Sequence, residues 1–118
     1  MREKVVEDYI RKYLTENNWD VQDRLGRCGI DIEATKDTRK AIIEVKGIGA
    51  HTTAMSNNFQ SVFGQILKDM ADDNAEYYVA FPKMDPYQRL WNALPALAKA
   101  RTSINVIWVD EYGAVTGI

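Results

Sequence analysis

The stretches Gly29-Ile30-Asp31-Ile32-Glu33-Ala34 and Lys40-Ala41-Ile42-Ile43-Glu44-Val45-Lys46-Gly47 decide how this chain folds. In the first, apolar and acidic residues alternate over 30–34, the period of a half-buried strand. In the second, Ala41, Ile42, Ile43 and Val45 make 40–46 a stronger strand. The polar segment 35–39 between them reads as a turn, so the pair forms a hairpin. Residues two apart on a strand share a face, so Glu44 and Lys46 project together, along with Ile42. Closing the hairpin brings Asp31 within cross-strand reach. Two carboxylates and one amine then meet at one end of a sheet.

Working outward, Val5, Val6, Tyr9, Ile10, Tyr13 and Leu14 fall in pairs four residues apart and form one stripe of an amphipathic helix. Asn17-Asn18 ends it, and 19–22 is a short strand. Gly26 and Gly29 make 24–29 a loop. Gly47 opens a second loop over 47–57 that includes His51, Thr52 and Thr53. Phe59, Val62, Phe63, Ile66, Leu67 and Met70 then mark a second helix, with Ser56 or Asn57 as its cap. Residues 76–81 read as a buried strand. Asp85-Pro86 supplies an N-cap and a first-turn proline for a third helix on Tyr87, Leu90, Trp91 and Leu94, which Pro95 kinks or ends. Residues 104–109 form another buried strand, and the tail 114–118 is a candidate edge strand. The order αβββαβαβ predicts an α/β fold, a mixed central sheet flanked by helices, in a single domain over 1–118.

Composition narrows the chemistry. The 118 residues are 46% hydrophobic and 27% charged, as in a globular domain large enough to bury a core. The net charge of -2 argues against a protein that coats DNA by bulk charge. A local basic face remains open to Arg24, Arg27, the 36–40 turn and Lys46. The chain has one cysteine, Cys28, and one histidine, His51, so an intrachain disulfide and a cysteine-based zinc site are excluded. Any metal is held mainly by oxygen, which favours Mg²⁺, with Mn²⁺ as substitute, or Ca²⁺ ahead of zinc. The absence of disulfides suits a reducing cytoplasm, and no apolar run is long enough to span a membrane. Met1-Arg2-Glu3-Lys4 reads as a charged helix opening and not as a signal peptide.

Asp31 and Glu44, with the backbone carbonyl of Val45, offer oxygen ligands to a divalent ion and leave positions open for water and a phosphate oxygen. Lys46 can orient that water, neutralise the charge that grows on the reacting phosphate, or act as a base. Glu44 between Ile43 and Val45 needs a partner, because a carboxylate in an apolar strand is costly. The plain alternative is a Glu44–Lys46 ion pair. Asp31 and Glu33 have their own plain alternative, the solvent face of an edge strand. His51 reads as a loop residue, and Trp91 and Trp108 as core.

Gly29-Ile30-Asp31-Ile32 followed by Ile43-Glu44-Val45-Lys46-Gly47 resembles the PD-(D/E)XK superfamily, the restriction-endonuclease-like nucleases, with their αβββαβ core. It is similar above all to the short Mrr-like and Holliday-junction-resolvase-like members. The resemblance implies catalytic roles for Asp31, Glu44 and Lys46. It adds Glu7, on the first helix, and a glutamine on the second: Gln65 in Phe63-Gly64-Gln65-Ile66-Leu67, with Gln60 as rival. Five residues apart on a helix, the two glutamines point about 140° from each other, so only one faces the site. Where some relatives carry a tyrosine four residues after this glutamine, this chain has Asp69, and Ile30 stands in place of the family's proline.

The implied activity is Mg²⁺-dependent endonucleolytic hydrolysis of DNA, leaving 5′-phosphate ends. A homodimer would present two sites to two strands, and recognition or helicase subunits are further expected partners. The rival from another class is a non-catalytic DNA-binding or assembly subunit that kept the nuclease fold. A junction resolvase shares the site and differs only in substrate.

Overall fold

Val6, Ile10 and Leu14 recur every four residues and are fully buried, and they fold as one face of helix α1, Glu3–Glu16. Val5 does not join that face and is 41% exposed. The computed structural model describes residues 1–23 and 29–118. Segment 24–28, with Arg24, Arg27 and Cys28, lies outside the described residues. Asn17 caps α1, and Asn18, with φ 69°, turns the chain back, a conformation asparagine tolerates.

Strand β1 is Asp20–Val21, β2 is Ile32–Lys36 and β3 is Arg39–Val45. The hairpin forms, but its first strand is displaced from the 30–34 expected. Lys36 pairs with Arg39 across a tight turn of Asp37 and Thr38, and Asp37 has φ 53°. The turn is therefore shorter than 35–39, and Asp31 stands just before the strand. Because β1 pairs with β2, the latter is not an edge strand.

Helix α2, Thr52–Asp69, starts earlier than the sequence suggests. Met55 and Phe59, both buried, extend its stripe back by a turn. Its N-cap is therefore His51, whose Nδ1 accepts the Ala54 N–H at 3.2 Å, and not Ser56 or Asn57. The loop read over 47–57 is correspondingly shorter.

Strand β4 is Glu76–Pro82, followed by α3, Asp85–Ala93, with Pro86 in its first turn and Met84 as N-cap in place of Asp85. A separate helix α4, Ala96–Thr102, follows Pro95. None of its residues is buried, so it has no apolar stripe for sequence periodicity to register. Strand β5, Ile104–Val109, and β6, Val115–Thr116, complete the fold.

The sheet runs β1-β2-β3-β4-β5-β6, with β3/β4 and β4/β5 parallel and the other pairs antiparallel. Alternation along the strands divides the core between its two faces. Ile43, Val45, Tyr78 and Ala80 pack with Val6, Ile10 and Leu14 of α1. Ile42, Tyr77, Val79 and Phe81 pack with Met55, Phe59, Val62 and Ile66 of α2 and Tyr87 of α3. On the second face Phe81 stacks on Phe59 at 5.4 Å and on Tyr87 at 4.6 Å. Trp91 and Trp108 are half-buried at the margin of this aromatic cluster.

The end of β3 is tied down on both faces. Ile48 N–H donates to the Met1 carbonyl at 2.8 Å, and the buried Tyr87 hydroxyl donates to the Gly47 carbonyl at 2.6 Å. Gly47 lets the start of α1 approach this closely: a Cβ there would stand 2.7 Å from the Arg2 carbonyl carbon and 2.8 Å from Glu3 Cα. Both are backbone atoms and cannot rotate away. Gly47→Ala is expected to destabilise the fold by about 1–3 kcal/mol, the usual cost of overpacking, read as a lower urea midpoint with an unchanged slope.

Candidate functional site

The pairing of Ile32 with Ile43 sets the next residues, Asp31 and Glu44, opposite each other at the end of the hairpin. Asp31 Oδ2 accepts the Val45 N–H at 2.8 Å, which clamps its carboxylate against β3. Glu44 alternates with Ile43 and Val45 and so faces α2 along with Ile42. Lys46 N–H donates to the Ala80 carbonyl at 3.0 Å, which closes the β3/β4 ladder just past Val45. Lys46 is half-buried and makes no ion pair among the described residues. The plain alternative of a Glu44–Lys46 pair is therefore not what the structure shows.

Glu44 is only 2% exposed. Asp69, the last residue of α2, and Asp31 are the acids close enough to act on it. Burial, then these two acids, push its carboxyl up to about 10. Glu44 Oε1 and Asp69 Oδ2 are both buried without a hydrogen-bond partner among the described residues. Such orphaned acceptors are costly. They call for a proton or a cation.

Asp69 is the functional candidate that the motif reading passed over. It lies four residues after Gln65 and so on the same face of α2. Gln65, Lys68, Asp69 and Gly29 line an open pocket of about 400 Å³. Gln60 is exposed on another face. Of the two glutamines, Gln65 is the one that shares a pocket with Asp69.

Glu7 is 4% exposed and approaches from α1, on the other side of the sheet. Its Oε2 accepts from Arg11 Nε at 2.9 Å. Arg11 also donates to the Asp31 carbonyl at 2.7 Å and to the Gln22 carbonyl at 3.0 Å. Arg11 therefore joins Glu7 to the backbone that presents Asp31. Its signal in the sequence is the i,i+4 spacing from Glu7.

Elsewhere the expected basic face is partly neutralised. Arg39 makes a two-pronged pair with Glu76 at 2.7 and 2.6 Å, and Lys40 approaches Asp72 at 3.9 Å. His51 is committed to capping α2.

A family model described as Protein NO VEIN, C-terminal, matches residues 2–63, just over half of the chain. The chain belongs to that family. The matched region takes in Glu7, Asp31, Glu44 and Lys46 and stops short of Gln65 and Asp69. An XisH family protein from Nostoc punctiforme superposes with a TM-score of 0.70 at 19% identity, over 97% of this chain and 98% of that one. An fdxN element excision controlling factor protein from Anabaena variabilis gives 0.70 at 18% identity, over 96% of each chain. At these identities the likeness is one of fold. No curated protein matches the chain significantly.

For a divalent cation the donor chemistry fits: oxygen atoms only, two of them buried and orphaned. Among the described residues no three acidic, histidine or cysteine side chains already close round a point as a metal-holding group. The contacts run instead through Glu44, with Asp31 and Asp69 on either hand. Holding an ion would require these side chains to turn toward it.

The raised Glu44 value fixes a sign. The folded chain keeps a proton that the unfolded chain releases above the ordinary value of 4.5, so ion-free stability falls as pH rises from about 4.5 toward about 10. Glu44→Gln removes that penalty and supplies amide donors to its neighbours. Its melting temperature without metal is expected to exceed the parent's at pH 8 by several degrees, about 4 °C for each kcal/mol relieved. The gap should narrow toward pH 5. A scan showing no gap at pH 8 would contradict the buried-acid geometry.

Proposed function

We propose that this chain is a restriction-endonuclease-like nuclease that hydrolyses DNA phosphodiester bonds with Mg²⁺, or Mn²⁺ in its place. The observation that carries the reading is the buried Glu44, its Oε1 unpartnered, at the hairpin end opposite Asp31 and two residues before Lys46. A carboxylate is not retained there for stability, because burial and two acidic neighbours oppose its charge. The Asp31, Glu44 and Lys46 pattern of the PD-(D/E)XK resemblance coincides with this cluster. The name of the Anabaena variabilis neighbour, an element excision controlling factor, lends support from the fold to a DNA-directed role.

In this reading Asp31 and Glu44, with the Val45 carbonyl, hold the ion. Such an ion, when bound, acidifies water and polarises a phosphate oxygen. Asp31 is positioned for this by its bond from Val45 N–H and by the Arg11 contact to its carbonyl. Lys46 has an ammonium free of ion pairs among the described residues. It orients the attacking water and offsets charge gathering on the phosphate. Gln65, beside Asp69 in the open pocket, holds the water or the phosphate edge by its amide. Glu7 acts from the opposite side through Arg11. A chain of this size does not enclose a duplex, so two copies, or a recognition or helicase partner, would complete the machinery.

The test is cleavage of duplex, single-stranded and branched DNA with Mg²⁺ or Mn²⁺. Cutting that needs the ion is expected, and Lys46→Ala should lower it by at least about 10²-fold, the scale of losing one transition-state contact, with an unchanged circular dichroism spectrum. Unimpaired cutting by Lys46→Ala would remove its assigned role. Tight DNA binding with no cleavage on any substrate would point to the nuclease-fold binding subunit instead.

A further inference from the structure

We infer that Asp69 is a third carboxylate donor of the cation site, supplied by the C-terminal end of α2 and not by the hairpin, a proposal that rests on the metal-site reading above. Three observations converge on it. Asp69, from α2, and Asp31, from the hairpin, are the two acids that act on Glu44. Asp69 Oδ2 is buried and unpartnered, like Glu44 Oε1, and Glu44 is itself 2% exposed. Asp69 also lines the open pocket of about 400 Å³ with Gln65, so this acid is reached from solvent.

The placement of Asp69 is unfavourable without a cation. A negative charge in the last turn of a helix opposes the helix dipole, where a cation such as neighbouring Lys68 is favoured. Contact with a second acid adds to that cost. A divalent ion reverses both effects, because its charge outweighs each local repulsion. Octahedral Mg²⁺ holds oxygens about 2.1 Å from the metal and therefore about 3 Å apart. The three acids do not yet close round a point, so an ion would draw Asp69 in toward Glu44 and Asp31. Drawing one ligand from α2 has a further consequence: the ion would pin the helix end to β3 and hold Gln65, one turn earlier, in register with it.

The experiment is calorimetric titration of the full chain with Mn²⁺ alone, in the absence of DNA. The parent is expected to bind it saturably, and Asp69→Asn, nearly isosteric, to bind at least about tenfold more weakly, the lower end for losing a group of the metal shell. Asp72→Asn removes an equal charge nearby and should stay within about twofold. Mn²⁺ should raise the parent's melting temperature more than that of Asp69→Asn, whose ion-free melting temperature is not lowered. Asp69→Ser repeats the comparison if the asparagine variant does not fold. Equal affinity of parent and Asp69 variants, or an equal loss in Asp72→Asn, overturns the role of Asp69 and leaves an Asp31–Glu44 site standing. Absence of saturable Mn²⁺ binding to the parent overturns the metal-site reading itself and this inference with it.

Discussion

Glu44 is the constraint around which the rest of the site is arranged. Its carboxyl lies at the end of a central strand, is removed from water, and meets acids on either hand. An interior built for stability alone would place an apolar residue there and lose nothing. Marginally stable domains can carry such a cost only where the surrounding core offsets it. Here the offset comes from two well-packed faces: α1 against Ile43 and Val45, and α2 with the Phe59, Phe81 and Tyr87 stack against Ile42 and Val79.

Those faces also serve as positioning devices. The strand before the site is bonded to β4 through Lys46 N–H, to Tyr87 through the Gly47 carbonyl, and to the chain's first residue through Ile48 N–H. Burial keeps the Tyr87 phenol protonated, pushing its ionisation up, so it remains a donor to Gly47. Asp31 is held from its side chain by Val45 and from its carbonyl by Arg11. The groups that hold this end of the sheet thus belong to rigid elements, as the proposed phosphate chemistry requires.

The comparisons bear on the fold more than on the chemistry. A family model covers the hairpin and α1, and two solved structures share the architecture at nearly full length and below one-fifth identity. Similar folds carry unrelated activities, so what the chain does depends on the buried acids and the neighbouring lysine.

The hairpin, the α1 stripe and the buried strands near 76–81 and 104–109 were legible in the sequence because each rests on local patterning. Alternation places Glu44 beside Lys46 whatever the remainder of the chain does, and a four-residue repeat buries Val6, Ile10 and Leu14 together. Helix α4 was not legible, because a helix that buries no side chain has no apolar period. The start of α2 was misplaced because small polar residues at Ser56 and Asn57 imitate a cap, while the true cap is a histidine. Asp69 was visible only as a departure from an expected tyrosine. The sequence by itself determined that Glu44 lies on an apolar strand and projects away from Ile43 and Val45. Only the tertiary structure decided that the end of α2 meets β3 at Glu44, since a contact between residues 25 positions apart depends on how the helix packs across the sheet and on no spacing within the chain.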